Sequence, residues 1–158
     1  MFVKSRDAII TLSVALMFSL IAINNMTDYN TNFALMKTVV GMETITATNV
    51  KWRAITNPIG QHAAYISIIL WESVTAILGW IGAIGMLKAG RSTPAYATGK
   101  KAALIGLAMG FALFMGGFVI IAGEWFYLWA STVSSMHSKA LLFSLMLASF
   151  MYFLSRSE

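Results

Sequence analysis

Four long apolar runs divide the chain. They cover residues 8–24, 63–87, 102–126 and 136–154, and most polar residues lie between them. A bilayer core of about 30 Å needs roughly 20 helical residues, and the runs lack the alternation that is typical of strands. Since only helices and closed barrels satisfy every backbone group inside a bilayer, the pattern predicts an all-α polytopic membrane protein. We expect one domain, 1–158, with four transmembrane helices in a bundle.

Composition supports this class and excludes others. Of the 158 residues, 58% are hydrophobic and 11% are charged, whereas soluble domains carry about 25% charged residues. A soluble enzyme and a disordered chain are therefore excluded. The chain has no cysteine and only two histidines, His62 and His137, so thiolate chemistry and a multi-histidine metal centre are excluded as well. The sequence thus predicts no catalytic residue, no metal and no cofactor.

The basic residues predict an orientation. Seven flank the first and fourth runs or fill the link 88–101, and four lie in the other connections. By the positive-inside rule, both termini and the link 88–101 face the cytoplasm, as expected for a multi-pass protein of a bacterial inner membrane. The net charge of +5 is then explained by orientation, and no nucleic-acid partner is needed. The first run is interpreted as an uncleaved anchor.

The connection 25–61 is long and is predicted to lie outside the membrane. Phe33, Met36, Val39 and Val40 follow a helical spacing, which indicates a short amphipathic helix at the outer surface. The alternative is a loop segment that packs on top of the bundle, because long loops usually have structure or a function. The link 88–101 contains Thr93 and Pro94 and is interpreted as a plain cytoplasmic loop.

Two helices carry a face of small residues. Small residues let helices approach closely in lipid, so we expect the second and third helices to form a tight antiparallel hairpin or to dock on a partner subunit. At 100° per residue, the face on the second helix consists of Glu72, Thr75, Ala76, Gly79, Gly82 and Ala83. The face on the third helix consists of Gly106, Gly110, Gly117 and Glu124.

Glu72 is the most informative residue, because it lies about ten residues inside the second run. An acid near the middle of a bilayer costs about 2.5–3.5 kcal/mol on insertion scales, so it must face protein or water. We expect it to carry a proton unless a base is near. Two interpretations stay open: a proton or ligand site, and a carboxyl group that only bonds a neighbouring helix.

The remaining polar candidates lie near the outer ends of the helices. Glu124 ends the third run, and Arg53 in the outer connection is its expected ion-pair partner. A structural pair is the preferred interpretation, because such pairs perturb acidic groups as readily as active sites do. His62 and His137 could ligate a haem, but they lie at helix ends, and this hypothesis has no other support.

Several motifs of the chain resemble a known family. They are Asn25–Phe33, Trp52–Ile55, His62–Tyr65, Trp71–Glu72 and Gly123–Phe126, followed by Trp129 and Ser131. Together and in this order they resemble a bacterial family of predicted small integral membrane proteins, a domain of unknown function. The resemblance implies four transmembrane helices and no particular activity. It also marks a set of polar motif residues at the outer side: Asp28, Asn32, Arg53, His62, Glu72 and Glu124.

Two functions follow from these observations. The first is a non-catalytic subunit that packs against a larger membrane complex of respiratory or oxygenase type, because the chain is small and lacks redox ligands. The second is a small transporter, channel or quinone-binding protein that uses Glu72. The lipid bilayer is the expected surrounding in both cases, and a homo-oligomer is possible. The first function is preferred by elimination.

Overall fold

The structure, a computed structural model, describes residues 2–89 and 93–156, with side chains from Arg6 onward. Helices account for most of this part, and no strand occurs in it, so the all-α prediction is confirmed. The α-helices are α1 (Phe2–Thr27), α2 (Tyr29–Val40), α3 (Pro58–Lys88), α4 (Pro94–Phe111) and α5 (Ser135–Ser155). Short 3-10 turns cover Thr48–Arg53 and Leu128–Ala130, and α4 continues as a wider helix over Ala112–Trp125.

Four helical spans are long and apolar enough to cross a membrane. They are Arg6–Thr27, Pro58–Lys88, Pro94–Trp125 and Ser135–Ser155. The predicted four-helix bundle is therefore confirmed, and the protein is an integral membrane protein. The end of the bundle that carries α2 and the turns Thr48–Arg53 and Leu128–Ala130 is called the loop end below.

Helices α3 and α4 begin earlier than the apolar runs suggested, because each has a cap followed by proline. The side chain of Asn57 accepts a hydrogen bond from the Ile59 amide, 2.9 Å, and Pro58 opens α3. The side chain of Thr93 accepts one from the Tyr96 amide, 3.3 Å, and Pro94 opens α4. Both pairs are favoured helix starts. The interpretation of 88–101 as a plain loop is therefore wrong from Thr93 onward, and residues 90–92 lie outside the described residues.

Close backbone contacts hold α3 against α1 and α4. A Cβ added at Gly82 would lie 2.6 Å from the Ala103 amide nitrogen, and one added at Gly79 would lie 2.8 Å from the Cβ of Ala15. At Gly106 the nearest atom would be the Gly79 nitrogen at 3.3 Å. Glycine is required where two helix backbones approach this closely. The small-residue face of α3 is therefore shared between two neighbours, and α3 and α4 form the tight hairpin.

The third span changes its helical form halfway along. From Ala112 to Trp125 it is π-helical, with bonds to the fifth preceding residue such as Phe126 N–H to the Ile121 carbonyl, 3.3 Å. Just before this change, the indole nitrogen of Trp71 donates to the Met109 carbonyl, 2.9 Å. A side chain that bonds to a helix carbonyl is a known cause of such irregularity.

The small-residue face of the third span was predicted at 100° per residue, which does not hold along the π-helical segment. A Cβ at Gly117 would meet only the side chain of Leu113, at 3.7 Å, and Gly110 contacts Phe18 of α1 and Leu147 of α5 rather than α3. The expectation that Gly117 packs helices is therefore wrong, because no described atom of a neighbouring helix lies within 4 Å of its Cβ position. Gly106 and Gly110 keep close contacts because they precede the change.

The connection 25–61 is mostly structured. Its helix α2 buries Met36, Val39 and Val40, which are three of the four residues that predicted an amphipathic helix. They pack with Tyr65 and Ile69 of α3 and with Phe126 after the third span. The amide of Ile55 donates to the Val40 carbonyl, 2.8 Å, which returns the chain to the bundle. The segment is thus a helix, and it also covers the top of the bundle.

Candidate functional site

A cavity of about 420 Å³ lies in the bundle near the loop end. Its walls come from α2, α3, the π-helical segment and the first turn of α5. Most of its lining is apolar, with Leu35 and Met36 of α2 on one side and Phe118 of the π-helical segment among the aromatic contacts. A largely apolar cavity with a few polar groups is the usual form of a small-molecule site.

Three hydrogen-bonding residues gather on one part of this lining. The side-chain amide of Asn25 donates to an oxygen of Glu72, 2.8 Å, and the hydroxyl of Tyr65 donates to the backbone carbonyl of Asn25, 3.1 Å. Glu72 is 3% exposed, Tyr65 is also 3% exposed, and both line the cavity. The second carboxyl oxygen of Glu72 accepts no hydrogen bond from a residue within 2–89 or 93–156. It is therefore available to a bound molecule.

The π-helical segment supplies one complete wall. Its lining residues fall in two rows with spacings of four or five positions, as the wider turn requires. They are Leu113, Gly117, Phe118, Ile121 and Ala122, with Phe126 directly after the segment. Gly117 is central, because a side chain there would extend into the cavity without meeting the backbone of another helix. π-helical segments occur often at functional sites. The glycine that sequence analysis assigned to helix packing thus leaves space for a ligand.

The polar residues of the family motifs occupy different places. Asn32 lines the cavity, and its side chain donates to the Asp28 carbonyl, 3.0 Å. Asp28 is exposed at the start of α2, and its side chain makes no cap hydrogen bond. His62 is exposed as well: its Nδ1 lies 2.8 Å from the Tyr29 hydroxyl, and its ring stacks on Phe33 at 4.1 Å. Only Glu72 and Asn32 of the six candidates line this cavity.

The predicted ion pair between Arg53 and Glu124 is wrong. Within the described ranges, no carboxylate oxygen lies within 4 Å of the Arg53 nitrogens. The guanidinium instead lies over three rings, 4.9 Å from Trp125, 5.6 Å from Trp52 and 5.7 Å from Tyr127. Aromatic faces attract a guanidinium, and Glu124 is exposed. Glu124 borders a separate shallow groove.

A second buried acid was missed by the sequence analysis. Asp7 is fully buried at the end of α1 opposite the loop end. One of its oxygens accepts from the Tyr96 hydroxyl, 2.8 Å, and the other accepts from two nitrogens of Arg6, 3.1 and 2.8 Å. Arg6 lies on the same helix as Asp7, whereas Tyr96 lies on α4. The bond from Tyr96 to Asp7 therefore joins α1 to α4.

Tyr65 and Asn25 were also missed, although the sequence contained an indication of the position of each. Tyr65 precedes Glu72 by seven residues, which is two helical turns, so the two lie on the same face of α3. Asn25 was counted with the polar residues after the first helix, but α1 continues to Thr27 and Asn25 belongs to its last turns. Across the described parts of the chain, no group of three histidine or acidic residues is arranged to hold a metal ion.

The site can hold a hydrophobic molecule with one hydrogen-bonding head. The carboxyl group of Glu72 can donate a hydrogen bond when it is protonated and accept one when it is ionised. Asn25 fixes one of its oxygens and leaves the other toward the cavity.

A comparison with known protein families identifies the family of the chain. The family model described as "Predicted small integral membrane protein (DUF2165)" matches residues 4–156. The chain therefore belongs to this family, and the resemblance of its motifs is confirmed. No curated protein matches the chain. No solved structure matches it either.

Proposed function

We propose that this member of the family binds a lipophilic molecule of the membrane-quinone class in the cavity beside Glu72. The proposal rests on one observation: a largely apolar cavity of about 420 Å³ that contains a carboxyl group with one unoccupied oxygen. Burying such a group is costly unless it gains a partner. In this proposal the chain binds its ligand and does not transform it chemically.

Two features of the lining favour a quinone over a simple acyl chain. A quinone presents a carbonyl when oxidised and a hydroxyl when reduced, and a carboxyl group can bond to either one. The rings of Phe118 and Phe126 line the same cavity and can stack offset on a ligand ring. Apolar side chains of α2, such as Leu35 and Val39, face the same space and can contact an isoprenoid tail.

Binding of a short-chain quinone tests the proposal. The full chain in detergent micelles is titrated with decylubiquinone, and binding is measured by calorimetry. We expect saturable binding, and we expect Gly117→Leu to weaken it by about tenfold or more, equivalent to 1.4 kcal/mol, because the side chain would fill the cavity. Gly116→Leu is the matched control, since a Cβ at Gly116 meets nothing within 4 Å and Gly116 does not line the cavity.

Two results would contradict the proposal. One is the absence of saturable binding to the wild-type chain. The other is equal affinity of the wild type and Gly117→Leu while both retain the same melting temperature. Decylbenzene, which has the same tail and no oxygen, serves as a second ligand and should bind more weakly than the quinone, because it cannot bond to Glu72.

The accessory-subunit function remains a second candidate, and one observation supports it. Ala112 is exposed, and Gly116 one turn later has open space above it. A small-residue notch on the outward face of a transmembrane helix lets another helix approach closely. The two variants separate the candidates: Gly116→Leu should abolish co-purification of a larger complex from native membranes, and Gly117→Leu should leave it intact. If the wild type elutes as a monomer or homo-oligomer without other subunits, this candidate is wrong.

A further inference from the structure

The second site lies at the loop end and centres on Arg53. The last residue of the turn Thr48–Arg53 brings its guanidinium against the rings of Trp52, Trp125 and Tyr127, at distances of 4.9 to 5.7 Å from the ring centroids. Trp52 and Trp125 themselves meet edge to face, with centroids 5.6 Å apart. These three rings and Arg53 are called the arginine cage below. The three rings hold the Arg53 guanidinium in place, but they carry no negative charge that could neutralise it.

The charge in the cage is unsatisfied. The Nε of Arg53 is buried and has no hydrogen-bond partner. The two ion pairs found between described side chains are Arg6–Asp7 and Lys37–Glu43, so neither Arg53 nor Glu124 takes part in one. A buried donor without an acceptor costs about 1–3 kcal/mol. Arg53 as a whole is half-buried, and an acceptor from outside the chain would offset its unpaired charge.

The backbone at the cage is strained in a way that supports a ligand site. Tyr127 has φ 55° and ψ 38°, a left-handed conformation that costs a residue with a Cβ roughly 1–2 kcal/mol. It follows the third span, which ends at Trp125, and Arg53 lies over its ring. Such outliers persist where the surroundings fix them, and they are concentrated at ligand sites.

An apolar groove begins beside the cage. It is lined by Ile55, Ile120, Ile121, Glu124, Trp125 and Phe126, and Trp125 belongs to both groove and cage. Ile120 and Ile121 are more than half exposed on the span Pro94–Trp125, so they face lipid. The cage lies at the end of that span, at the depth of the lipid headgroups, where tryptophan and tyrosine are enriched.

We infer that the arginine cage and this groove bind a phospholipid with a primary amine in its headgroup, of the phosphatidylethanolamine type. The phosphate accepts hydrogen bonds from Arg53, whose planar guanidinium suits phosphate oxygens. The ammonium group bonds to Glu124, which is exposed and unpaired on the groove wall. One acyl chain lies along Ile120 and Ile121. Arg53 and Glu124 do not pair with each other. Their positive and negative charges instead match the phosphate and the ammonium group of a zwitterionic headgroup.

This site is separate from the quinone cavity, although Ile55, Ile121 and Phe126 line both. The headgroup chemistry excludes two simpler occupants. An anionic lipid without an amine would leave the charge of Glu124 without a counter-charge, and a choline headgroup offers no N–H to a carboxylate. The inference does not depend on the function proposed for the cavity beside Glu72, because Gly117 and Glu72 do not line the groove.

Native mass spectrometry of the delipidated full chain tests the inference. The chain is mixed with equal amounts of a phosphatidylethanolamine, a phosphatidylcholine and a phosphatidylglycerol that share the same acyl chains. We expect the ethanolamine lipid to bind several-fold better than the other two. Arg53→Gln should remove this preference together with most of the binding. Lys51→Gln is the matched control, since Lys51 is exposed in the same turn and lies outside cage and groove.

Glu124→Gln provides a second readout that does not depend on folding, because Glu124 is exposed and makes no ion pair. We expect this variant to lose the preference for ethanolamine and to bind phosphatidylglycerol as well or better. An equal loss in Arg53→Gln and Lys51→Gln would overturn the inference. So would a wild-type preference for phosphatidylglycerol, or complete competition by millimolar inorganic phosphate, which would assign the cage to a free anion.

Discussion

The side-chain amide of Asn25 donates a 2.8 Å hydrogen bond to Glu72, and the two residues lie on different spans, 47 positions apart. The bond joins the last turns of α1 to the buried face of α3 at the wall of the main cavity. Of the two roles that the sequence left open for Glu72, the structure shows the bond to a neighbouring helix, and the ligand site is the role proposed above. Glu72 bonds a neighbouring helix through one oxygen, and its other oxygen is free for a ligand.

The first prediction concerns the energetic coupling of this pair. Glu72→Leu and Asn25→Leu should each lower stability, and the double variant should be less destabilised than the sum by about 1 kcal/mol, since interhelical bonds in membranes average about 0.6 and reach about 1.7 kcal/mol. Glu72→Gln should cost less than Glu72→Leu because its carbonyl can still accept from Asn25. Thermal unfolding in micelles measures the wild type and all four variants. Strict additivity would mean that the bond contributes nothing.

The sequence predicted the number of spans and the buried face of α3, because both depend on local hydrophobicity and on a constant 100° per residue. It failed at Gly117 for a physical reason: the turn widens after Met109, where the indole of Trp71 bonds to the carbonyl. A contact between residues 38 positions apart leaves no local pattern. The starts of α3 and α4 were readable, since Asn57–Pro58 and Thr93–Pro94 are ordinary cap signals.

The site was predictable in part. Glu72 was found because an acid within an apolar run is visible in the sequence. Its partner Asn25 was not, since the pairing depends on how α1 crosses α3. Arg53 and Glu124 were paired by charge alone, whereas the structure places aromatic rings around Arg53. Opposite charges on separate segments do not specify contact, and the rings compete for the cation.

The second prediction compares glycines by what they touch. Gly82→Ala should destabilise the chain by about 1–3 kcal/mol, since the new Cβ would meet the Ala103 backbone at 2.6 Å. Gly110→Ala should cost less, because the nearest atoms belong to the ring of Phe18 and a side chain can move. Gly116→Ala, with open space, should be neutral or stabilising. Melting temperatures that rank Gly116 as the most sensitive site would refute this packing.

The third prediction concerns the buried acid at the opposite end. Tyr96→Phe removes a 2.8 Å bond to Asp7, which is fully buried, so the variant should lose about 2 kcal/mol, as expected for a hydrogen bond to a charged group. Tyr152→Phe is the control, because Tyr152 is 57% exposed. The comparison is made by thermal unfolding. Equal melting temperatures for the two variants would show that the Asp7 bond is not needed to join α1 to α4.

The fourth prediction concerns orientation. Both Thr48 and Thr98 are exposed, and the distribution of basic residues predicts that Thr48 lies outside and Thr98 inside. Since the natural chain has no cysteine, a single cysteine at either position can be probed with a membrane-impermeant maleimide in intact cells. Thr48→Cys should be labelled, and Thr98→Cys only after lysis. The reverse pattern would invert the topology.

The central claim is that a quinone-class molecule occupies the cavity beside Glu72, and photo-crosslinking with an azidoquinone tests it most directly. After irradiation in micelles, peptide mapping should place the label on cavity residues such as Phe118 and Met136. Excess decylubiquinone and the Gly117→Leu substitution should each suppress this label, whereas Gly116→Leu should leave it unchanged. Labelling confined to lipid-facing residues such as Ile77 and Leu142, or labelling that Gly117→Leu does not reduce, would contradict the claim.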